Sequence, residues 1–472
     1  MELELALTYK DLSFSFGKIL HVDKLLITEE PNEHATMQIT AVLDFDLEQT
    51  VFHEVPNKLK LLYNNGGGQK VMFSGMLLHS SMKRKGAYIY LTAEAVDFTY
   101  QMDVKKHIRS FQNTGEAVHS LMDAVTQAYP GCVNLKYVKN APLGQIMMQY
   151  EETDWEFLRR LLTMFHARLY PSVLLEAPCF MSGFPSDDGD AKIRETFFTS
   201  GTDFFHYETI KANASGGVMQ QQYLVCNAES YEILHLGTKL KYRGNSWLVG
   251  SVRREMREGL VVSTYKLVQP EMEILEVERS RMLPGISVDG KIKAVTRNKV
   301  QVIMGRDENK RTAGMYWFPY STVAGSSGGS GWHCMPEVGE PIRVYFPTWN
   351  DKEAYVISSL SGQTRGNKSG GGMNPAVRHI STAQGNTVTM TGDGTTISSP
   401  GGSGSVSMST SGDLVISAAV SLSMCAGSKI SFSANEIEVT GTDKISMSSD
   451  GGASITMDPS LIDIFASKIN QN

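Results

Sequence analysis

The sequence predicts a mainly β protein: two tandem small β-barrels with inserted helices, an OB-fold barrel, and a C-terminal trimeric intertwined β-helix. Three observations support this fold class. Alternation of apolar and polar residues dominates most of the chain, helical spacing is concentrated in its second hundred residues, and an apolar pair recurs near the end at a short fixed period. The expected boundaries are 1–105 (first barrel), 106–190 (helical segment), 191–275 (second barrel), 276–362 (OB-fold), 363–379 (linker) and 380–472 (β-helix).

The first barrel is predicted from strands and turns. Residues 36–45 alternate between apolar and polar side chains, as a half-buried strand does. The glycine-rich turn 64–68 separates two further strands, and the turn 83–86 precedes another. A small barrel or sandwich is therefore expected.

Two helices are predicted next. The first has an apolar stripe at helical spacing, ends at Pro130-Gly131, and carries on that stripe Val118, Leu121, Met122, Val125 and Tyr129. The second is expected to begin at Thr153-Asp-Trp-Glu156, whose spacing is that of a capping box.

The chain then returns to β patterns. Residues 191–270 contain a hairpin about Gly244-Asn245, and the order of small β domain, helices and small β domain suggests a duplicated barrel. Short strands between 285 and 357 suit an OB-like barrel. A connector rich in Gly, Ser and Asn follows at 362–374.

From 380 to 469 the sequence alternates apolar and small polar residues in short pieces. The apolar residues come in pairs two positions apart, which places both on one strand face. The step between pairs is about eight residues, typical of a solenoid. The expected core consists of Val388 and Met390, Val406 and Met408, Leu414 and Ile416, Leu422 and Met424, Ile430 and Phe432, Ile437 and Val439, Ile445 and Met447, Ile455 and Met457, and Ile462 and Ile464.

One chain cannot close such a solenoid well, because each strand supplies only about two large apolar groups. Three chains around a common axis would bury these pairs and give every strand edge a partner. A single-chain β-helix, a fibre stalk and a disordered Ser/Gly-rich tail are the alternatives.

Composition excludes several classes of protein. Net charge is −6, and from position 380 onward there are eight acidic and three basic side chains. The expected β-helix would therefore be a negatively charged rod, which is unsuited to binding nucleic acid or an anionic membrane. Five scattered cysteines without CxxC spacing argue against a disulfide framework or a zinc site. The start of the chain lacks signal-peptide features and no apolar run is long enough to span a membrane, so we expect synthesis in the cytoplasm.

No catalytic, cofactor-binding or metal-binding site is expected. The histidines form no HExxH or similar pattern, and His333-Cys334 is interpreted as core packing. The glycine-rich stretch 325–331 lacks the Gly-Lys-Ser/Thr of a phosphate loop, and 187–190 lacks the later ligand of a calcium loop. The connector 362–374 is too short to hold a folded enzyme.

Three stretches together resemble a known family. Residues 149–161 contain Gln149, Tyr150, Asp154, Trp155, Phe157, Arg160 and Leu161, and residues 331–346 contain Trp332, Pro336, Val338, Gly339, Val344 and Phe346. With the terminal rod, they resemble the valine-glycine-repeat (VgrG) spike proteins of type VI secretion and the hub-spike proteins of contractile phage tails. A glycine often found after the helix motif is not evident near His166-Ala167.

The resemblance implies a mechanical role. Three chains would form a baseplate hub that joins a hexameric inner tube to a threefold, membrane-puncturing spike, contacting tube and baseplate proteins. The strand-like end of the chain suggests a separate PAAR-like protein that caps the tip, with an effector as a possible cargo. The particle would be expelled toward a target cell envelope. A tail-associated cell-wall hydrolase and a receptor-binding tail fibre are the alternatives.

Overall fold

The computed structural model describes residues 6–15, 17–43, 57–86, 88–186, 189, 191–213, 218–270, 277–322, 324–325, 331–332, 335–358, 376–382 and 384–469. The chain divides into two compact units, Met1–Gly362 and Gln363–Asn472, which are described separately. The proposed connector 362–374, His333-Cys334 and most of 187–190 and 325–331 lie outside the described residues.

The first unit begins with a closed six-stranded antiparallel barrel. Its strands are β1 (Leu12–Phe14), β2 (Gly17–Glu29), β3 (Thr36–Leu43), β4 (Lys58–Asn64), β5 (Gln69–Lys85) and β6 (Tyr88–Asp97). They pair in the order β1-β4-β5-β6-β3-β2, and β2 returns to β1 to close the barrel. Alternate residues such as Met37, Ile39 and Phe73 point inward and are fully buried, which is the arrangement that the alternating pattern predicts.

The next segment combines a strand ribbon, two helices and a small sheet. Its elements are β7 (Lys106–Phe111), α1 (Val118–Thr126), β8 (Val133–Lys136), β9 (Met147–Thr153), α2 (Asp154–Thr163), β10 (Leu169–Pro171) and β11 (Cys179–Ser182). β7 and β9 form an antiparallel ribbon, and β11 lies between β10 and β8. The apolar stripe of α1 is buried, and α2 begins with the expected capping box between Thr153 and Glu156.

The second β region is an open sheet. Its elements are β12 (Glu195–Thr202), α3 (Phe204–Asn213), β13 (Leu224–Ser230), β14 (Lys239–Tyr242), β15 (Asn245–Arg257) and β16 (Leu260–Val268), with strands ordered β14-β15-β16-β13-β12. The C-terminal half of β15 pairs with β2 of the first barrel. The edge of β15 is therefore occupied there by β2. In the described residues β12 and β14 do not pair with each other, so the expected second barrel is not closed.

Helix α3 has no counterpart in the sequence-based expectations. It begins where the Asp203 carboxylate accepts a hydrogen bond from the His206 N–H at 3.1 Å. Ile210 is its one buried residue, so no apolar stripe marks the helix in the sequence.

The rest of the first unit is a five-stranded antiparallel sheet. Its strands are β17 (Ser287–Thr296), β18 (Lys299–Met304), β19 (Trp317–Pro319), β22 (Pro341–Tyr345) and β23 (Tyr355–Ser358), ordered β19-β18-β17-β22-β23; a two-stranded hairpin, β20 (Ala324–Gly325) and β21 (Gly331–Trp332), lies between β19 and β22 in sequence. A parallel bridge between Tyr320 and Val356 brings the two ends of the sheet together. The OB-fold expected for residues 276–362 stays a prediction.

The second unit contains two antiparallel meanders. The first comprises β24 (Arg378–Ser381), β25 (Thr387–Thr391), β26 (Gly394–Ser398), β27 (Gly404–Ser409) and β28 (Leu414–Ala418); the second comprises β29 (Ile445–Ser448), β30 (Ser454–Met457) and β31 (Ile462–Phe465). Residues 419–444 form no strand. The strands expected at Leu422/Met424, Ile430/Phe432 and Ile437/Val439 are thus missing in the isolated chain, because these segments have no neighbouring strand to bond.

Candidate functional site: the junction motif and the spike face

The β7–β9 ribbon belongs to two hydrophobic cores at once. Phe111 and Met147 pack with α1 and α2. Ile146 and Met148, which point the other way, pack with the 283–356 core and are fully buried. Successive residues of a strand point to opposite faces, so both faces of the ribbon are covered. The ribbon therefore joins the helical segment to the five-stranded sheet.

Hydrogen bonds of Asp154 and Gln149 attach the start of α2 to this ribbon. The Gln149 side-chain amide donates to the Asp154 carboxylate at 2.9 Å and to the carbonyls of Glu152 and Thr153. The same carboxylate accepts from Arg109 at 2.7 Å and from the Tyr129 hydroxyl at 2.8 Å. Burial and the charge of Asp154 raise the pKa of Tyr129 above its ordinary value. Each of the four side chains has at least one protein partner, as in a structural network, although the Gln149 amide oxygen accepts no hydrogen bond from the described residues.

Trp155 attaches the same helix to the first barrel. Its indole N–H donates to the Asn32 carbonyl at 3.0 Å, and its ring lies 4.8 Å from the ring of His34. The Asn32 side chain in turn accepts from the Leu169 N–H at 2.9 Å. One aromatic residue thus connects α2, the barrel and the strand β10.

Arg160 attaches α2 to the far sheet. Its guanidinium forms a bidentate ion pair with the Glu152 carboxylate, with N–O distances of 3.0 and 2.7 Å. It also donates a hydrogen bond to the Met148 carbonyl at 2.7 Å. It also reaches Asp351 at 3.4 Å, while Asp351 accepts from the Met148 N–H at 2.7 Å. Burial opposes the charge of Arg160, but Asp351 and Glu152 outweigh it and raise the pKa of Arg160 above its usual value.

A second polar contact lies along β7. Asp307 accepts from the Ser110 N–H at 2.9 Å, and the Gln112 side chain accepts from the Gly314 N–H at 2.9 Å. His107 and Glu308 meet at 2.6 Å. Burial raises the pKa of Asp307 by more than the hydrogen bonds from Ser110 and Asn309 and the charge of Lys310 lower it. The ribbon is thus held to the sheet along its length.

The structure brings most of the first motif together. Tyr150 packs at the edge of the 283–356 core, Phe157 stacks on Phe111 with ring centroids 5.0 Å apart, and Leu161 is buried among the helices. The partners Asp351, Asp307 and Glu308 had no signal in the sequence. They lie about 200 residues from the ribbon, and no short spacing links them to it.

The second motif is spread over the five-stranded sheet. Val344 and Phe346 are fully buried in its core, whereas Val338 is exposed and Pro336 is half-buried. Gly339 has a φ of 93°, a conformation that favours glycine, and its N–H donates to the Ile292 carbonyl at 2.8 Å. Trp332 lies in β21. The motif therefore shapes one turn and one core strand.

In the second unit, the expected core residues form apolar rows across the meanders. Register places Val388, Ile397, Val406 and Ile416 directly opposite one another on successive strands. In the second meander Met447, Ile455 and Ile464 form a similar row. Ile397, inside the first row, and Ile380, which extends it, are absent from the expected core, because each lacks an apolar neighbour two positions away. We call this surface the spike face.

The spike face is not covered by its own chain. In the described residues no side chain of the second unit is buried. The apolar side chains of the expected core are either half-buried or between 39% and 69% exposed. The segment 420–444 makes no backbone–backbone hydrogen bond in this structure. A soluble chain does not normally leave so much apolar surface and so many backbone groups unpartnered.

Two features are absent from the described part of the chain. No group of three or more His, Cys, Asp or Glu residues there could hold a metal ion. None of the helices there is both long and apolar enough to cross a membrane.

Comparison with known proteins identifies the fold. No protein-family model matches the chain, and no curated protein does. The solved structure of E. coli c3393 covers 73% of this chain and 98% of its own at 11% identity, with a TM-score of 0.50; its description calls it a type VI secretion component structurally similar to the T4 bacteriophage tail proteins gp27 and gp5. The Francisella PdpA–VgrG complex matches in its lidded and half-lidded forms, both over 84% of this chain at 9% identity, with TM-scores of 0.53 and 0.52 and coverage of 76% and 83% of those chains.

These similarities define the fold: the chain is folded like E. coli c3393, the type VI secretion component whose structure is similar to phage tail proteins. Its fold is also VgrG-like, in the sense that it is similar to that of the Francisella PdpA–VgrG complex.

Proposed function

We propose that the protein is the trimeric baseplate hub and puncturing spike of a contractile injection system, without enzymatic activity. Its first unit would form the hub that meets the inner tube and baseplate proteins. Its second unit would form the spike, with a PAAR-like protein capping the tip and an effector as cargo. Expulsion toward a target envelope would follow contraction. The similarity of fold to VgrG and tail proteins supports the general role.

The observation that supports the trimer is the segment 420–444, which is neither paired nor covered by its own chain. Its apolar pairs keep the strand spacing, yet its backbone groups have no partner in the chain and its large apolar side chains are exposed. Unpaired backbone and exposed apolar rows are both satisfied when strands of other copies lie alongside. Intertwining three chains is the arrangement that supplies such strands at every level of the rod.

The mechanical role follows from the same arrangement. A rod whose strands pair between chains has no free edge along its length, and it cannot unravel one chain at a time. Its other face carries mainly Ser, Thr and Gly. Such a surface offers an envelope few charged or apolar groups to hold.

The test is the solution mass of the full-length protein by light scattering. The expected result is three times the 52.0 kDa chain mass. Met424→Asp should abolish or weaken the trimer because it places a charge in the proposed core. Ser423→Asp, on the opposite side of the same strand, should not. A monomeric wild-type protein would overturn the proposal.

A further inference from the structure

A pocket of about 240 Å³ lies between the first barrel, the strand β10, the helix α3 and the open sheet. Drug-sized ligands occupy pockets of roughly 300–1,000 Å³, so this one suits a smaller ligand. The side chains of its lining that can carry a charge are Glu30, Arg168, Asp203, His206 and Lys266. They come from separate parts of the chain, and only the fold brings them together.

A glycine at an irregularity of β15 keeps this pocket open. The pairing of β15 with β16 shifts its register between Val249 and Ser251, which leaves Gly250 as an extra residue. A Cβ at Gly250 would lie 3.0 Å from each methyl group of Val268, another residue of the lining. Strand irregularities of this kind are over-represented beside active sites. The absence of a side chain here therefore preserves the space that a ligand needs.

His206, in the wall of the pocket, has an unused polar atom. Its Nε2 is buried and, in the described part of the chain, has no hydrogen-bond partner. The ring lies 5.5 Å from that of the fully buried Tyr223, whose hydroxyl also has no partner among the described residues. Buried polar atoms normally bond to protein, water or a ligand. The imidazole nitrogen therefore marks a place where a polar ligand can bind.

The charges around His206 favour an anion over a cation. Burial lowers the pKa of His206; the charge of Arg168 lowers it by more than Asp203 raises it, and Lys266 lowers it further. The potential at the imidazole is therefore positive. Asp203 is already engaged by the His206 N–H at 3.1 Å and by Lys266 at 3.9 Å. The remaining carboxylate, Glu30, is exposed.

We propose that this pocket binds a small oxyanion with the chemistry of a phosphate or carboxylate group. Arg168 and Lys266 would supply the positive charge, and the His206 imidazole would donate through Nε2–H in that tautomer. The Ser251 hydroxyl, which also lines the pocket, is a further donor. The site lies in the first unit, so the inference does not depend on the spike or on the trimer.

A bound oxyanion would hold three elements of the first unit together. Arg168 directly precedes β10, His206 lies in α3 and Lys266 lies in β16. Helix α3 has one buried residue, and helices gain most of their stability from tertiary packing. The ligand would compensate for this sparse packing, so it should stabilise the folded first unit by mass action.

Calorimetric titration of the full-length protein with inorganic phosphate, at constant ionic strength, tests the site. We expect saturable binding at a single site per chain. Lys266→Gln should weaken this binding about tenfold, because it removes a charged hydrogen-bond donor. Asp203→Asn keeps a good helix cap but removes a negative charge, so it should tighten binding. Lys211→Gln is the matched control, since Lys211 lies in the same helix, outside the lining, and is 55% exposed.

The pKa of His206 provides a second readout, measured by NMR on protein labelled at histidine Cε1. The charged groups that face the ring are Arg168, Lys266 and Asp203. Its neighbour Tyr223 stays neutral in the titration range of histidine, because burial raises the pKa of the phenol. Bound phosphate should raise the pKa of His206, because an anion favours the imidazolium. A purely structural histidine would titrate identically with and without phosphate.

Acetate, titrated in the same way, separates the two kinds of oxyanion. Tighter binding of phosphate would assign a phosphate group, and tighter binding of acetate a carboxylate; both results support the site. The inference is overturned if neither anion binds saturably, if Lys211→Gln weakens binding as much as Lys266→Gln, or if Asp203→Asn weakens it. An unshifted pKa of His206 also overturns it. A monomeric protein that binds phosphate would overturn the proposed trimer and leave this site standing.

Discussion

Arg160 and Asp351, 191 positions apart in the chain, meet in the interior with 3.4 Å between Nη1 and Oδ2. Asp351 simultaneously accepts the Met148 N–H. A single buried carboxylate therefore joins the helix α2, the ribbon strand β9 and the turn that precedes β23.

Removing this carboxylate should lower the free energy of unfolding. Asp351→Ala leaves the Arg160 charge with one partner fewer and the Met148 N–H without an acceptor. Loss of one member of a buried ion pair destabilises by about 3–5 kcal/mol, so the urea midpoint of the first unfolding transition should fall clearly. The matched control is Asp289→Ala, which removes the surface pair with Arg343 at 3.0 Å and should cost under about 1 kcal/mol. Equal effects of the two substitutions would contradict the role given to Asp351.

Trp155→Phe tests the attachment of α2 to the first barrel. The substitution keeps a ring between His34 and Phe180 but removes the donor to the Asn32 carbonyl. A buried acceptor left unsatisfied costs about 1–3 kcal/mol, and the Asn32 carbonyl, which is part-buried, should cost up to that amount. Thermal unfolding of the full-length protein should show a loss in that range; Trp349→Phe, at an exposed position, is the control. An unchanged midpoint would mean that the indole hydrogen bond contributes nothing.

Glu308 should make stability depend on pH. Partial burial opposes its charge, but hydrogen bonds from His107 and the Ile108 N–H and the charge of Arg109 lower its pKa below the usual value. The folded state therefore binds the proton more weakly than the unfolded chain. This stabilisation is fully present above the unfolded pKa of about 4.3 and is lost as pH falls through the folded pKa.

The measurement compares the wild type with Glu308→Gln. At pH 7 the variant should unfold at a lower temperature, and the difference should shrink as the pH is lowered below about 4. A difference that grows on acidification would reverse the expected sign.

Cysteine cross-linking tests the direction of the spike side chains. In a Cys425→Ser chain, Met424→Cys should place three thiols around the proposed axis, and mild oxidation should join two chains in a disulfide. Ser423→Cys points to the other face and should remain reduced but accessible to a thiol reagent. Cross-linking at 423 and not at 424 would place the apolar pairs on the outside of the rod.

The sequence predicts local structure best where a short pattern determines it. The Thr153 capping box and the stripe of α1 appear where the spacing placed them. The ribbon β7–β9 was missed, because a strand buried on both faces shows no alternation. Asp351 and Glu308 were missed because their partners lie far away in the chain. The open second sheet could not be foreseen either, since the pairing of β15 with β2 is a long-range event.

The ribbon β7–β9 has a consequence for how this protein can be recombined. Its two faces complete two separate cores, through Met147 on one side and Met148 on the other. A chimera that takes the five-stranded sheet from another protein would leave Ile146 and Met148 facing unfamiliar side chains. Because Phe111 and Met147 on the other face belong to the core of the helical segment, residues 102–180 and 283–356 must be inherited together, so the unit of inheritance is discontinuous along the gene.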